Sequence, residues 1–371
     1  MRYYLIAGEA SGDLHGGNLI RAIRERDPQA EVRCWGGEHM QAAGAVLVKH
    51  YRDLAFMGFL EVVAHLSTIL RNLRFCEQEL LQFRPDVVIF IDYPGFNIRM
   101  ASFAKRQGMR TVYYISPQVW AWKEARVKTL KRSIDRMLVI LPFEQDFYRR
   151  WGWEVEYVGH PLLKEIDRRR SERLEGKVSL PSSKPLVALL PGSRKQEVRL
   201  KLPVMMEVAN RFPQCRFVVA QAPGLEDESI LPYCRPCPQV EIRKGDTYGL
   251  LLEADAALVT SGTATLEAAL FGVPEVVCYK GSQLSYWIAK WLVKIKYISL
   301  VNLIMDREVV KELIQDRLTA DSLAEELSKL LQAAHAARIQ SDYTFLRQRL
   351  RNEGDASERA AASIVALAGK G

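Results

Sequence analysis

Short runs of β-forming residues alternate with helical patterns through the first half of the chain, and the alternation begins again in the second half. Strands that alternate with helices are typical of parallel sheets covered by helices, so the pattern predicts an α/β chain of two wound domains. The predicted strands cover residues 2–7, 31–35, 46–48, 86–91, 111–115, 137–141 and 155–158, and then 186–190, 216–220, 240–243, 256–260 and 275–279.

A polar, charged stretch with two prolines, residues 167–185, separates the two series and is typical of a linker. We therefore predict a first domain over residues 1–166 and a second over 167–349. The length of 371 residues fits two domains, since a domain averages about 150 residues. The tail after Arg307 has helical patterns, and no strand is predicted in it. Ligands of wound sheets bind beyond the carboxyl ends of the strands, so we expect the site in a cleft between the two halves.

The composition excludes several classes of protein. Hydrophobic residues make up 48% of the chain and charged residues 26%, which excludes disordered and fibrous proteins. No run of about 18 apolar residues is present, so no membrane-spanning helix is expected. The apolar run at the amino terminus is too short for the core of a signal peptide, and we expect a cytoplasmic protein.

The charge balance and the cysteines say less about function. There are 52 Lys+Arg against 44 Asp+Glu, a net charge of +8, and such a basic surface suits nucleic acid, anionic lipid or a phosphorylated substrate. Cys234 and Cys237 are separated by two residues, but they lie among prolines and have no matching second pair. This favours reduced thiols over a zinc or redox site.

The first predicted strand runs directly into the small residues of Gly8-Glu-Ala-Ser-Gly-Asp-Leu-His-Gly16. Such residues let backbone N–H groups approach a ligand at the start of the next helix, where the helix dipole favours an anion. The spacing matches neither a dinucleotide-binding loop nor a P-loop. Ligand contact and a tight turn capped by Ser11 or Asp13 remain equal alternatives.

The second domain opens in the same way, with Gly192-Ser-Arg194 after its first strand. An arginine beside a helix N-terminus is well placed to bind a diphosphate through its planar set of donors. The alternative is a solvated surface charge. The preceding Gly-Ser pair makes the two interpretations about equal.

A later loop of the second domain points to a nucleotide more clearly. Ser261-Gly-Thr-Ala-Thr-Leu-Glu267 follows the strand at 256–260 and starts a helix. Ser261 and Thr263 can cap this helix and expose N–H groups to phosphate. The Glu267 carboxylate can accept two hydrogen bonds from a ribose diol, or can simply favour the start of the helix. Two loops of this kind in one domain favour nucleotide binding.

Asp92 ends the apolar run at 87–91 and precedes Tyr93-Pro94. An acid at the carboxyl end of a buried strand is a plausible general base, and the alternative is a turn-forming aspartate. No two aspartates are separated by one residue, so the Asp-x-Asp pattern that holds Mg²⁺ and a sugar diphosphate is missing. We expect chemistry without a metal or other cofactor.

The segment 285–297 mixes tryptophans with lysines, as an interfacial membrane helix does. A core helix with lysines extending to solvent is the alternative. The residues expected at the membrane interface are Trp287, Lys290, Trp291, Lys294 and Lys296.

Six motifs together resemble the lipid-A-disaccharide synthase family. They are Gly8-Glu-Ala-Ser-Gly-Asp13, Asp92-Tyr-Pro-Gly-Phe-Asn97, Tyr114-Ile-Ser-Pro-Gln-Val-Trp-Ala-Trp122, Gly159-His-Pro161, Leu190-Pro-Gly-Ser-Arg194 and Ser261-Gly-Thr-Ala-Thr-Leu-Glu267. The resemblance extends to about Asn302, which looks like an asparagine of a further family segment. It implies a GT-B glycosyltransferase of two Rossmann-like domains, with a carboxyl-terminal helix near 350–371 returning to the first domain.

The reaction implied by the resemblance joins UDP-2,3-diacylglucosamine to 2,3-diacylglucosamine 1-phosphate. The products are the β1→6 disaccharide 1-phosphate and UDP, with inversion at the anomeric carbon. In this scheme Asp92 is the general base. The residues expected to bind the donor are Gly192, Ser193, Arg194, Ser261, Gly262, Thr263, Glu267 and Asn302, and those expected to shape the acceptor side are Gly8, Glu9, Ser11, Gly12 and His15.

Acylated substrates place the expected enzyme at the cytoplasmic face of the inner membrane of a Gram-negative-type bacterium, in contact with anionic lipid. Other enzymes of this fold that use UDP-sugars are alternatives, namely the peptidoglycan N-acetylglucosaminyltransferase and UDP-N-acetylglucosamine 2-epimerase. A nucleic-acid-binding protein is a third alternative, but the basic run 123–136 matches no recognised module. The sequence leaves a monomer and a homodimer equally open.

Overall fold

The protein divides into two compact units. The computed structural model describes residues 1–54, 66–175, 184–235, 237, 239–281, 296–352 and 354–369. Unit 1 comprises Met1–Pro161 with Leu350–Gly371, and unit 2 comprises Leu162–Arg349. The division therefore falls before Leu162, whereas the sequence analysis placed it after residue 166.

Each unit contains one parallel sheet, and each predicted strand overlaps an observed one. The strands of unit 1 are β1 (Arg2–Ala7), β2 (Glu31–Gly36), β3 (Val46–His50), β4 (Val87–Ile91), β5 (Arg110–Tyr114), β6 (Arg136–Val139) and β7 (Glu156–Tyr157). The strands of unit 2 are β8 (Leu186–Leu190), β9 (Arg216–Gln221), β10 (Glu241–Lys244), β11 (Ala256–Thr260), β12 (Glu275–Tyr279) and β13 (Lys311–Ile314).

The described α-helices alternate with the strands as far as β13, and the last three follow it. They are α1 (Ala10–Arg26), α2 (Glu38–Ala42), α3 (Leu66–Phe83), α4 (Pro94–Arg106), α5 (Arg126–Ser133), α6 (Phe143–Arg149), α7 (Leu162–Glu175), α8 (Lys195–Arg211), α9 (Leu231–Cys234), α10 (Thr247–Glu253), α11 (Thr263–Phe271), α12 (Leu300–Met305), α13 (Ala320–Leu330), α14 (Ala333–Leu350) and α15 (Ala356–Ala368). Among the described residues, no helix is long and apolar enough to cross a membrane.

The strand order of unit 1 is β3-β2-β1-β4-β5-β6-β7, with every pairing parallel. All five residues of β4 are buried. Since successive residues of a strand face opposite sides, both faces of the sheet are covered here, and this explains the unbroken apolar run. The order reverses between β1 and β4, and ligands of such sheets bind at the carboxyl ends of the strands where the order reverses.

Unit 2 repeats this arrangement with the order β10-β9-β8-β11-β12-β13, which reverses between β8 and β11. The expectation that no strand lies beyond Arg307 is wrong, because β13 pairs in parallel with β12. This edge strand reads Lys-Glu-Leu-Ile and begins with an exposed residue. Charged residues are common on edge strands, and they remove the apolar signal on which the prediction depended.

The interpretation of 167–185 as a linker is wrong for its first part, because α7 continues to Glu175. Its polar residues form ion pairs one turn apart, with Glu165 contacting Arg168 and Arg169, and Arg168 contacting Glu172. Ile166 is fully buried. A charged helix of this kind is stabilised by pairs at i, i+3 and i, i+4 rather than by a wide apolar face.

The carboxyl-terminal helix α15 belongs to unit 1. Asp355 caps it by accepting hydrogen bonds from the backbone N–H groups of Ser357 and Glu358, at 3.0 and 3.1 Å. Arg136 at the start of β6 donates to the carbonyl and the hydroxyl of Ser363. These bonds attach α15 to the sheet of unit 1.

Candidate active site

The chain makes a strained corner where β4 ends. Asp92 and Tyr93 both have left-handed backbone conformations, with φ of 44° and 50°. The Asp92 carbonyl accepts hydrogen bonds from the Tyr113 hydroxyl at 2.6 Å and from the Asn97 side-chain amide at 2.7 Å. Two successive residues of this kind cost about 1–3 kcal/mol each, and such strain is concentrated at functional sites. The corner lies at the reversal point of the sheet of unit 1.

The environment of Asp92 suits a proton acceptor. Burial, and then the nearby Glu9 carboxylate, raise the pKa of Asp92 to about 7. A general base works best when its pKa is close to the working pH, because it is then both available and basic. The same two causes raise the pKa of Tyr93 above its ordinary value.

The loop after β1 lies at the same reversal point and packs against this corner. A Cβ atom at Gly8 would come within 2.3–2.6 Å of the Tyr93 ring, so only glycine fits there. Gly12 is packed against β1, since a Cβ atom would lie 3.0 Å from that of Ala7. Glu9 is the N-cap residue of α1, and Ser11 is exposed in its first turn.

The capping alternative for this loop is wrong. Neither Ser11 nor Asp13 caps α1, which has no side-chain cap. The buried Asp13 carboxylate instead accepts hydrogen bonds from the backbone N–H groups of Gly37, His39 and Met40, at 2.7–3.1 Å. Asp13 therefore holds the start of α2, a contact across 24 or more residues that local spacing does not reveal.

Two buried histidines lie near each other in unit 1. Burial, and then the influence of His15, lower the pKa of His160 to about 3. His160 is therefore neutral at physiological pH. His15, on α1, is itself buried.

The two tryptophans of the motif at 114–122 have different environments. Trp120 is buried, and its indole N–H donates to Glu144 at 3.2 Å. Trp122 is 41% exposed, and its ring lies 4.3 Å from the Lys123 ammonium and 5.5 Å from the Arg126 guanidinium. We call Trp122, Lys123 and Arg126 the Trp122 cluster. Sequence analysis missed it, although the signal was present in the basic run that begins there.

In unit 2 the loop after β8 carries the predicted diphosphate ligands. Gly192 has φ of 121°, and a Cβ atom there would clash with the Glu197 side chain. The Ser193 N–H donates to the Glu197 carboxylate at 3.1 Å. Arg194 is the N-cap residue of α8, and its side chain is 53% exposed with the guanidinium 4.0 Å from Glu197. The arginine is thus accessible to a ligand at the reversal point of this sheet.

The loop after β11 differs in detail from the prediction. Gly262, with φ of 141°, is the N-cap residue of α11, so neither Ser261 nor Thr263 caps this helix. The Ser261 hydroxyl donates instead to the Ile298 carbonyl at 3.2 Å. The first N–H groups of a helix have no partner within it, and Gly262 and Thr263 are exposed. This turn can therefore bind phosphate through its backbone.

Glu267 lies one turn further along α11 and is partly buried. Burial raises the pKa of Glu267, and its Oε1 accepts a hydrogen bond from the Tyr248 hydroxyl at 3.1 Å. This contact fixes the orientation of the Glu267 carboxylate.

The prediction that Asn302 binds the donor is wrong, because its side chain is fully buried and fully used. Its amide donates to the Val310 carbonyl and to Glu312, and its oxygen accepts from the N–H groups of Val309 and Val310, at 2.7–3.0 Å. An asparagine side chain makes at most four such bonds, so none remains for a ligand. Asn302 fastens α12 to β13.

The remaining predicted residues concern a membrane or a metal. Trp287, Lys290, Trp291 and Lys294 lie outside the described residues, and Lys296 is exposed beside the Tyr297 ring at 5.1 Å. In the part of the chain that the structure describes, no three His, Cys, Asp or Glu residues are grouped to hold a metal ion.

Two α/β units, each with glycine-containing loops where its strand order reverses, define a protein of the GT-B class. Solved structures of that fold align over the whole chain. The UDP-GlcNAc 2-epimerase of Neisseria meningitidis bound to UDP-GlcNAc has a TM-score of 0.67 at 10% identity, over 99% of this chain and 98% of that one. A calicheamicin glycosyltransferase has a TM-score of 0.63 at 18% identity, over 100% and 99%. The predicted fold class is confirmed.

The chain belongs to the lipid-A-disaccharide synthetase family, whose model matches residues 3–366. The lipid-A-disaccharide synthase of Trichlorobacter lovleyi is 38% identical over 374 residues, which cover 99% of this chain and 97% of that protein. The lipid-A-disaccharide synthase of Syntrophus aciditrophicus is 40% identical over 372 residues, covering 98% and 97%. The predicted activity, a glycosyltransferase of lipid A disaccharide synthesis, is confirmed and favoured over the alternatives.

Proposed function

We propose that the chain transfers a 2,3-diacylglucosamine unit from UDP to 2,3-diacylglucosamine 1-phosphate, forming the β1→6 disaccharide 1-phosphate and UDP. The observation that carries the mechanism is Asp92, an acid with a pKa near 7 at a strained corner of the reversal point in unit 1. The family match supports the substrate class.

Asp92 acts as the general base in this proposal. It removes the proton of the acceptor 6-hydroxyl while that oxygen forms its bond to the anomeric carbon of the donor. The bond from the anomeric carbon to the phosphate oxygen breaks, and its electron pair leaves with UDP. Attack from the face opposite the leaving group converts an α-linked donor into a β-linked product.

Unit 2 binds the donor in this proposal. Arg194 and the N–H groups around Gly262 stabilise the negative charge that grows on the departing diphosphate. Gly192 and Ser193 form the turn that presents Arg194. The Glu267 carboxylate binds the ribose hydroxyls, and Ser261 and Thr263 line the phosphate turn.

Unit 1 binds the acceptor through the loop after β1. Gly8 and Gly12 let this loop pack closely on β1 and on Tyr93. Glu9 adjusts the basicity of Asp92, since its charge is one cause of the raised pKa. Ser11 and His15 complete the acceptor surface. These roles rest on the position of the loop at the reversal point.

Catalysis without a metal is part of the proposal. The sequence has no Asp-x-Asp motif, and Arg194 with backbone N–H groups offers the charge stabilisation that a metal provides in other enzymes.

A thin-layer assay tests the reaction directly. With UDP-2,3-diacylglucosamine and its 1-phosphate acceptor in excess EDTA, we expect full formation of the disaccharide, and none with non-acylated UDP-N-acetylglucosamine as donor. Epimerisation of UDP-N-acetylglucosamine would overturn the proposed function. If turnover were lost in EDTA and restored by Mg²⁺, the proposed metal independence would be overturned and the proposed reaction would stand.

We further propose that the enzyme works as a peripheral protein at the cytoplasmic face of the inner membrane, where acylated substrates reside. The Trp122 cluster supports this location, because an exposed tryptophan among cations is typical of a surface that meets anionic lipid. The basic helix α5 continues from it with exposed Lys128, Lys131 and Arg132.

Changing Trp122→Ala, Lys123→Glu and Arg126→Glu together should weaken binding to anionic vesicles by more than about tenfold, since each cation near such a surface contributes about 1 kcal/mol. Co-sedimentation with phosphatidylglycerol vesicles measures this. The control is Arg21→Glu with Arg26→Glu, the same charge change on exposed residues of α1. Equal loss in both variants would mean that net charge, and not this surface, governs binding.

A further inference from the structure

Lys201 is a buried cation that the proposed mechanism does not use. It lies on α8 and is only 3% exposed, and its ammonium donates a hydrogen bond to the Thr260 hydroxyl. Lysine is almost never buried without a charged partner or a function, because burial removes its hydration. The position of Lys201 suggests what that function is.

Lys201 connects the two loops assigned to the donor. The helix α8 begins directly after Gly192-Ser-Arg194, and Thr260 is the last residue of β11, directly before the turn at Ser261 and Gly262. The strands β8 and β11 are neighbours, and the sheet order reverses between them. The Lys201 ammonium therefore lies at the carboxyl end of β11, next to the turn to which the proposed function assigns the diphosphate.

The charges around Lys201 favour an anion at this place. Glu197 and Arg194 on α8 and the Cys278 thiol on β12 are the titratable groups that influence it, and burial lowers the pKa of Lys201. Burial also raises the pKa of Cys278, so this thiol is neutral at physiological pH. The cations Arg194 and Lys201 therefore outnumber the single carboxylate, Glu197. That carboxylate already accepts a hydrogen bond from the Ser193 N–H.

We infer that Lys201 is a positioning residue for the donor, and that its buried charge attracts the diphosphate to the turn that follows Thr260. The inference rests on the proposed function, which assigns the UDP-sugar to unit 2. In this inference the diphosphate is attracted by two cations. Arg194 contacts it, and Lys201 acts on it from a distance through its electric field. A charge held in a low-dielectric interior is screened less than an exposed one, so it influences a ligand over several ångströms.

Two kinds of variant separate the charge of Lys201 from its structural role. Lys201→Gln keeps a donor for Thr260 and removes the charge, and Lys201→Met removes both while keeping an unbranched side chain. Thr260→Val is the matched control, because it keeps the charge and removes the hydrogen bond. Melting curves establish that each variant folds.

The measurement is the ratio of the Kd for uridine to the Kd for UDP in the full chain, by calorimetry for UDP and by displacement of UDP for uridine. This ratio reports the diphosphate alone, whereas a loss of structure would weaken both ligands. We expect both Lys201 variants to lower the ratio roughly tenfold, as the loss of a unit charge about 10 Å away does at an effective dielectric of about 20. The Thr260→Val variant should keep the wild-type ratio.

The outcomes are distinct. An unchanged ratio in Lys201→Gln and Lys201→Met overturns the inference and leaves the proposed function intact. An equal fall in Thr260→Val overturns it as well, since the hydrogen bond and not the charge would then be responsible. A wild-type chain that binds no UDP overturns the proposed function together with this inference.

Discussion

Replacing Asp92 by asparagine should lower kcat by about 10²–10⁴-fold, the usual contribution of a general base. Asparagine has the same shape and tolerates the left-handed backbone found here, with φ of 44°, so the corner should persist. It cannot accept the proton of the acceptor hydroxyl. Affinity for UDP should stay near the wild-type value, because Asp92 belongs to unit 1 and the proposed donor-binding residues belong to unit 2.

Steady-state kinetics with calorimetry for UDP provides the check. Asp86→Asn is the matched control, since Asp86 directly precedes the same strand β4 and accepts a hydrogen bond from the Arg2 N–H instead. It should keep the wild-type kcat. A kcat of Asp92→Asn close to that of the wild type would remove Asp92 from the chemistry.

The pH profile gives a second test of the same residue. Only the ionised carboxylate accepts a proton, and the pKa of Asp92 is raised to about 7, so kcat/KM should fall about tenfold per pH unit below that value. Glu9 is a cause of the raised pKa, and Glu9→Gln should therefore move this acid limb to lower pH. An acid limb that does not respond to Glu9→Gln would mean that another group controls it.

The strands of both sheets were predictable from sequence because they depend on strong local signals. The strands β4 and β8 are unbroken apolar runs, β1 is one after Arg2, and β11 is one up to Val259. Small or polar residues follow each of these runs. A parallel sheet places such loops at one edge, so the sequence already indicated where Asp92 and Arg194 would lie. Their positions follow from topology and require no knowledge of side-chain contacts.

The errors arose where a side chain bonds to a part of the chain far from it in sequence. Asp13 and Ser261 each suit the cap of the next helix by spacing, yet their bonds go to residues 37–40 and to Ile298. The role of Asn302 is decided by four bonds within residues 302–312, in a segment whose strand the sequence analysis had missed. Residue propensity describes which nearby hydrogen bond a side chain favours. Hydrogen bonds to distant parts of the chain override that preference.

Arg194→Ala should weaken UDP binding by about 1.5–3 kcal/mol, the usual effect of losing a hydrogen bond to a charged group. The guanidinium is half exposed at the start of α8, so its removal should leave the fold intact. Since the diphosphate is charged before the reaction and gains charge as the bond breaks, KM for the donor should rise and kcat should fall. Calorimetry and steady-state kinetics measure both quantities.

Arg199→Ala is the matched control for this variant, because Arg199 is an exposed arginine further along the same helix. It should bind UDP like the wild type, since the loss of one surface charge is largely screened by salt. The comparison with Asp92→Asn then decides the assignment of the two units. Loss of UDP binding in Asp92→Asn, together with its retention in Arg194→Ala, would show that the donor and acceptor belong to the opposite units. We expect Arg194→Ala to lose UDP binding and Asp92→Asn to keep it. Arg194 with its neighbouring N–H groups attracts an anion, whereas the Asp92 carboxylate beside Glu9 repels one.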